Sequence, residues 1–401
     1  MKIKFILFLI FSVWFASCTD STVENNNTDN TNALLQNMTD SLTNYYQSQY
    51  NITEGGFFLK IATAADNFFV SSNVSSDFNS DYHYRIASIT KTFTAASIML
   101  LHQQGKINIY DNITMNMPGT NSPYVPDDAN WNLPFKDQIT IELLLQHRAG
   151  VFDLKNQIIP ANLQQPYAGR FYADYVRGLP GNNEHTFTFD ELAGIVSLNN
   201  LYNFAPNPNE YHYSNTGYST LGKIIERASG MTYTEFLRQN FFIPLELNNT
   251  FSPWNGSDMQ IPSPGIASYL YENGSMIITA QDNMSANVAE GNLISSPSDV
   301  AKWINLLLKG NAGVNKANVE LMKQVLPTGT GGDAYGLGIA YIPGLGYGHN
   351  GAHLSYMDIA AFNPDTGNTM LVGSNFMYVA GLAEQITSMA NLVKSGLTVV
   401  R

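Results

Sequence analysis

The chain has 401 residues, 44% hydrophobic and 12% aromatic, enough to bury one large core or two closely joined ones. Its 20 Lys+Arg against 32 Asp+Glu give a net charge of −12, and no basic cluster is present, which argues against nucleic acid as a partner. Cys18 is the one cysteine, so no internal disulfide is possible.

Lys2 and Lys4 precede an apolar run over 5–15 and the triplet Ala16-Ser17-Cys18. The run is too short to span a bilayer as a mature helix and fits an export signal over 1–17. A lone Cys after small residues resembles a bacterial lipobox, in which that Cys becomes the lipidated first residue; the alternative is an ordinary signal peptide cut nearby. The expectation is an exported monomer, lipid-anchored to the membrane of a bacterial cell envelope through Cys18. Residues 18–32, Asn-rich and nearly free of apolar side chains, fit a disordered tether, and the globular domain is expected over 33–398.

A helix over 33–49 carries Leu34, Leu35, Met38, Leu42 and Tyr45 along one side. Strands over 56–63 and 68–72 make a hairpin. A helix then begins near Ser88, with Phe93, Ala96, Ser97, Leu100 and Leu101 turned to a core. After a long loop come a short helix over 140–146, a turn-rich aromatic stretch over 155–185 (a lid or wall), and helices over 189–198, 219–229 and 234–241. A hairpin over 269–278 turns at Asn273-Gly274, and Ser296-Pro297-Ser298-Asp299 opens a helix over 300–308. Strands over 335–341, 347–348, 353–362 and 369–374 precede a helix over 377–393. Strands at both ends with helices between predict an α/β chain of the α+β type. One antiparallel sheet is formed by both chain ends (35–90 and 290–398) and flanked by helices, with an inserted, mainly helical region (91–289).

Ser88 and Lys91 are three residues apart, so a helix makes them neighbours on one face. At a first turn Ser88 keeps an N–H with no intrahelical partner, a donor for an oxyanion. The positive helix start and burial both push Lys91 toward a neutral amine. Hydroxyl, amine and N–H are three parts of an acyl-transfer site. The competing reading is an N-cap serine beside a snorkelling lysine. Tyr213-Ser214-Asn215, in a loop that opens a helix, offers a phenol for proton transfer and an amide to hold a substrate. The same pattern at Tyr110–Asn112 and Tyr271–Asn273 needs only a turn role. In His349-Asn350-Gly351-Ala352, Gly351 lets a substrate approach the strand and the Ala352 N–H can complete an oxyanion hole. Lys394-Ser395-Gly396 is an ordinary helix ending. His349 and His353 lack the carboxylate or Cys company of a metal site, so neither metal nor organic cofactor is expected.

Tyr-Arg-Ile-Ala-Ser-Ile-Thr-Lys (84–91), Leu-Leu-Leu-Gln-His-Arg-Ala-Gly-Val (143–151), Tyr-Ser-Asn-Thr-Gly-Tyr (213–218), Ser-Ser-Pro-Ser-Asp-Val-Ala-Lys-Trp (295–303) and Gly-His-Asn-Gly (348–351) occur in that order. Together they closely resemble the serine β-lactamase and penicillin-binding superfamily over residues 35–395. The nearest branch is that of class C β-lactamases, serine D-alanyl-D-alanine carboxypeptidases and related esterases. The resemblance implies a β-lactamase/transpeptidase-like fold and a metal-free serine hydrolase. Ser88 is the implied nucleophile, Lys91 and Tyr213 share the proton transfers, and Asn215 orients the substrate. His349 stands on the inner strand, and the N–H groups of Ser88 and Ala352 form the oxyanion hole. His147-Arg148 is implied scaffolding. The implied substrate is a small-molecule or peptide acyl donor, with D-alanyl-D-alanine carboxypeptidase activity first, then esterase, then β-lactamase; the rival is a non-catalytic binder of the same fold. Four positions depart from the pattern. Asn350 replaces a Thr or Ser, Ala340 follows the Tyr-Gly-Leu-Gly strand where carboxypeptidase relatives carry Arg, and Ala352 has no hydroxyl. Glu290 stands where relatives tend to have small residues. The catalytic core carries over; recognition of a substrate carboxylate does not.

Overall fold

The computed structural model describes residues 23–329 and 332–400; the expected export signal and Cys18 lie outside them. The described chain opens with α1 (Val23–Tyr50), so most of the stretch expected as a tether is helical. The buried stripe of α1 is Thr31, Leu35, Thr39, Thr43 and Tyr46, rotated from the expected one, whose Leu34 and Tyr45 are exposed. Once Leu35 and Tyr46 fix the helix, each polar residue added upstream gains a backbone hydrogen bond, and no apolar side chain is needed there.

Next come the hairpin β1 (Phe57–Ala62) and β2 (Asn67–Ser72), short β3 (Tyr84–Arg85) and α2 (Thr90–Gln103). The helical region holds α3 (Ile141–Leu145), α4 (Tyr172–Arg177), α5 (Phe189–Leu198), α6 (Asn215–Ser229) and α7 (Tyr233–Leu237), then the hairpin β4 (Tyr269–Glu272) and β5 (Ser275–Ile278). The chain returns through β6 (Ile294–Ser295), α8 (Pro297–Leu308), α9 (Lys316–Met322), β7 (Leu326–Pro327), β8 (Ala334–Tyr335) and β9 (Ala340–Ile342). It closes with β10 (Gly346–His353), β11 (Tyr356–Phe362), β12 (Thr369–Ser374), β13 (Phe376–Tyr378) and α10 (Leu382–Val399). Ser or Thr caps start five of these helices. Thr140, Thr188, Ser214, Thr232 and Ser296 each accept from the N–H three residues on. The Ser214 cap starts α6 at Asn215, four residues before the expected 219.

The main sheet has eight antiparallel strands in the order β2-β1-β12-β11-β10-β9-β8-β7, so both chain ends do build it. Successive residues serve opposite faces. Met357, Ile359 and Ala361 of β11 pack with Leu35, Tyr46, Met389 and Leu392 of α1 and α10, while Tyr356, Ala360 and Phe362 face the core around α2 and α8.

Three expected elements differ. The 335–341 strand breaks because Gly338, at φ 70, turns the chain over α2; a Cβ there would lie 2.2 Å from Ala95 Cβ. The strand expected to begin at 353 is two strands, joined by a turn with Leu354 and Ser355 both at positive φ. Tertiary bonds hold that turn: Ser268 and Thr279 hydroxyls both donate to the Leu354 carbonyl at 2.8 Å. The last helix starts at Leu382, not 377, because β13 pairs with β4 and Gln385 binds the β13 backbone at both Phe376 and Tyr378.

Candidate active site

Helix α2 was expected to bury one side; it buries every residue from Thr90 to Leu101. Phe93 stacks on Trp303 at 3.8 Å between ring centroids, and each polar side chain finds a partner. Thr94 donates to the Ala289 carbonyl at 2.6 Å, Lys91 to the Glu290 carbonyl at 2.7 Å, and Thr90 accepts from the Leu293 N–H at 3.2 Å. These three residues face one way on a helix, so they fasten the 289–293 segment along α2 and satisfy groups that would be costly to bury alone.

One 3-10 turn, Ala87–Ile89, leads into α2 and carries Ser88. Ala87 sits at φ 43, a conformation an L-residue rarely adopts. Strand β10 packs directly on this turn. A Cβ on Gly351 would lie 2.3 Å from Asp358 Oδ1 and 2.6 Å from the Ile86 carbonyl, so Gly351 makes room for the Ser88 turn itself, not only for a substrate. Ser88 is left half-buried at the mouth of a cleft.

Lys91 Nζ, fully buried, lies 3.1 Å from Ser88 Oγ, 2.8 Å from Asn215 Oδ1 and 3.4 Å from Glu290 Oε2. Burial is the main cause that pushes the Lys91 amine below its ordinary range; the charges of Glu290 and Asp153 oppose it. Asn215 spends its other end on Asp153, with Nδ2 3.2 Å from Oδ2. Its amide therefore links Lys91 to Asp153 instead of standing free for a substrate.

Tyr213 sits immediately before the Ser214 cap, with its ring 4.7 Å from Lys91 Nζ. Burial drives its phenol well above the ordinary range, outweighing the hydrogen bond with Ser88 that pulls the other way. The resting side chain is a neutral phenol, a proton donor. His147 lies on the Tyr213 ring at 4.1 Å, and its Nδ1 accepts from the Ser214 N–H at 3.1 Å. Burial keeps this imidazole uncharged. Arg148 bridges the carbonyls of Pro208 and Pro327 at 3.0 and 2.7 Å. Both residues hold the Tyr213 loop, the scaffolding role that the resemblance implied.

On β10, His349 donates from Nδ1 to the Asn350 carbonyl at 2.6 Å, which leaves Nε2 to accept from the Tyr335 hydroxyl at 2.9 Å. Burial pushes its pKa down to about 3, so it lines the site as a neutral ring with both nitrogens engaged. His353 pairs with Asp282 at 3.0 Å, and Asp282 with Arg177 of α4 at 2.6 Å. The 155–185 stretch is thus a wall, tied by α4 to the end of β10.

Ser88, Tyr213, His349, Asn350 and Ala352 line one cleft of about 630 Å³. It continues past Ala340 and Tyr341 to Ile386 and Lys394 of α10. Lys91, Asn215 and Gly351 lie behind this surface. The sequence does not single out Asp153 or Tyr335, because nothing local says which residues they meet. Glu290, which stands where relatives tend to have small residues, is 4% exposed and touches Lys91.

A hydroxyl, a buried amine and a phenol converge where a sheet meets a helical region, the arrangement of a serine hydrolase with a β-lactamase-type fold. The family model described as beta-lactamase matches residues 74–393, and the chain belongs to that family. Penicillin-binding protein 4* of Bacillus subtilis (strain 168) is 30% identical over 168 residues, 42% of this chain and 30% of that protein. A probable hydrolase, M10, of Phoma sp. is 30% identical over 181 residues, 42% of this chain and 28% of that protein. The chain thus spans less than a third of either curated relative. Two solved structures share the fold over nearly their whole length. The D-amino acid amidase of Ochrobactrum anthropi SV3 aligns at TM-score 0.71 and 22% identity, over 92% of this chain and 99% of that one. A D-stereospecific amidohydrolase from Streptomyces sp. aligns at 0.68 and 23%, over 86% and 94%.

Proposed function

We propose that this chain hydrolyses amides of small amino acids or peptides through an acyl-enzyme on Ser88, with a leaving group that carries no carboxylate. Lys91 takes the Ser88 proton, Ser88 Oγ attacks the acyl carbon, and the N–H groups of Ser88 and Ala352 hold the oxyanion. Tyr213 protonates the leaving nitrogen and recovers a proton from Lys91. Water then gives a proton to Lys91 as it attacks the ester, and that proton returns to Ser88 as the acyl group leaves. The observation that carries the choice of substrate is the cleft beside Ser88. His349 is neutral with both nitrogens used, and Asn350, Ala340 and Ala352 supply no cation. The amidases among the structural neighbours support the same choice.

D-Alanyl-D-alanine carboxypeptidase is the second reading. One residue favours it: Lys394, a cation at the far end of the same cleft. The test compares hydrolysis of D-alaninamide and D-phenylalaninamide with that of a D-alanyl-D-alanine peptide and a nitrophenyl ester, for wild type and Ser88→Ala. Faster turnover of the amides by wild type alone supports the first reading. Preference for the peptide, lost in Lys394→Ala, replaces it with the second. Equal turnover by Ser88→Ala rejects both. The leader and Cys18 further support an exported, lipid-anchored protein, for which radiolabelled palmitate should enter wild type and not Cys18→Ser.

A further inference from the structure

Lys91 Nζ has two pure acceptors at short range, Asn215 Oδ1 at 2.8 Å and the Glu290 carbonyl at 2.7 Å. These consume two N–H bonds. The remaining position on nitrogen faces Ser88 Oγ at 3.1 Å and Glu290 Oε2 at 3.4 Å. The Lys91 and Glu290 side chains are 0% and 5% exposed, and Asn287 Nδ2 fixes Glu290 Oε1 at 2.6 Å. A carboxylate is therefore aimed at the point where the Ser88 proton must arrive. A small side chain at position 290 would leave that point without a charge.

We propose that Glu290 is the positioning counter-ion of Lys91, so that Ser88, Lys91 and Glu290 act as a triad whose charges balance when Lys91 takes the Ser88 proton. This rests on the reading of Ser88 as nucleophile and Lys91 as base. In acylation the Ser88 O–H bond breaks and its proton joins the Lys91 lone pair. An oxygen pair on Ser88 bonds the acyl carbon, and the carbonyl π pair moves onto its oxygen. Lys91 becomes an ammonium next to the Glu290 carboxylate, which exchanges no proton. The ion pair strengthens only as the transition state forms, so it assists the chemical step and not substrate binding. The other ionisable groups around the pair are Asp153, held behind Asn215, and Lys155; Tyr213, Tyr218, Tyr233, His147 and His349 are held neutral by burial.

A counter-ion makes Lys91 a stronger base that needs a higher pH to lose its proton. Profiles of kcat and KM against pH for wild type, Glu290→Gln and Glu290→Asp, on a nitrophenyl acyl ester, test this. For Glu290→Gln the acid limb of kcat moves down by about one pH unit or more while the alkaline plateau falls about a hundredfold, so the curves approach or cross at low pH; KM stays. Glu290→Asp keeps the charge and restores the wild-type limb. A uniform drop at every pH with an unmoved limb, or no change at all, overturns the proposal. If Glu290→Gln does not fold, Glu290→Ala gives the same comparison. Acyl labelling of Ser88 in wild type, followed by intact mass, separates the two failures. Labelling with an unmoved limb sinks the counter-ion alone, whereas no labelling sinks the mechanism beneath it.

Discussion

Asp358 is the least expected side chain near the site. Its carboxyl is buried on β11, beside the Tyr84 hydroxyl and the Gly351 N–H. Burial raises its pKa well above the ordinary carboxyl range, so the folded chain keeps its proton to higher pH than the unfolded chain does. Stability from this group is complete below the unfolded value near 3.8 and is lost as pH rises through the folded one. His349 works the other way. Its folded value of about 3 lies below the ordinary 6.5, so stability falls as pH drops from 6.5 toward 3. Asp358→Asn keeps the shape without the proton. Urea unfolding should show little difference from wild type at pH 4 and a gain of about 1–3 kcal/mol at pH 8. An equal effect at both pH values would mean that Asp358 is not protonated in the fold.

At the scale of elements, the placement of the Ser88 turn depends on how closely β10 approaches it, and Gly351 is the residue that permits this. Gly351→Ala puts a methyl group against the backbone of Ile86 and the Asp358 carboxyl. The expected cost is about 1–3 kcal/mol from overpacking, with loss of Ser88 acylation well before loss of the fold. Thermal melting beside acyl labelling checks this; full labelling at wild-type rate would show that the turn has room to spare. The same elements show what the sequence made legible. Ser88 and Lys91 could be found because they are neighbours within one turn of helix, and Tyr213 because the Tyr-Ser-Asn motif opens a helix from a loop. The bond from Asn215 to Asp153 and the contact of Glu290 with Lys91 could not, since each joins segments that only the folded core brings together. The β10–β11 turn was hidden for a related reason. Leu354-Ser355 carries no Asn or Gly to announce positive φ, and hydroxyls from Ser268 and Thr279 supply the missing stabilisation. Thr90 and Thr94, unremarkable in a helix, prove to be the pegs that hold the 289–293 segment.

At the scale of the molecule, both core layers meet on one sheet, and β12 is its hinge point between N-terminal β1 and the C-terminal strands. Phe57 is in register with Ser374 and Ala62 with Thr369. A chain ending at residue 368 would keep Ser88, Lys91, Tyr213 and β10 yet lose β12, which pairs with both β1 and β11, together with β13, α10 and part of one core layer. It should bind a hydrophobic dye and show no near-ultraviolet circular dichroism, whereas a cooperative melt would show that the remainder folds alone.

This strand order has a consequence in time. The hairpin of β1 and β2 leaves the ribosome early, with Phe57, Leu59 and Ile61 on one face and Phe58 on the other, and its proper neighbour is among the last segments made. Such long-range pairing must close a loop of most of the chain before it gains anything, so the nascent protein waits with sticky strands uncovered. Delay is useful to a chain that has to cross a membrane unfolded, and hazardous to one that stalls in the cytosol. The topology that builds the cleft thus also sets when the cleft can first exist, after the final strand has arrived.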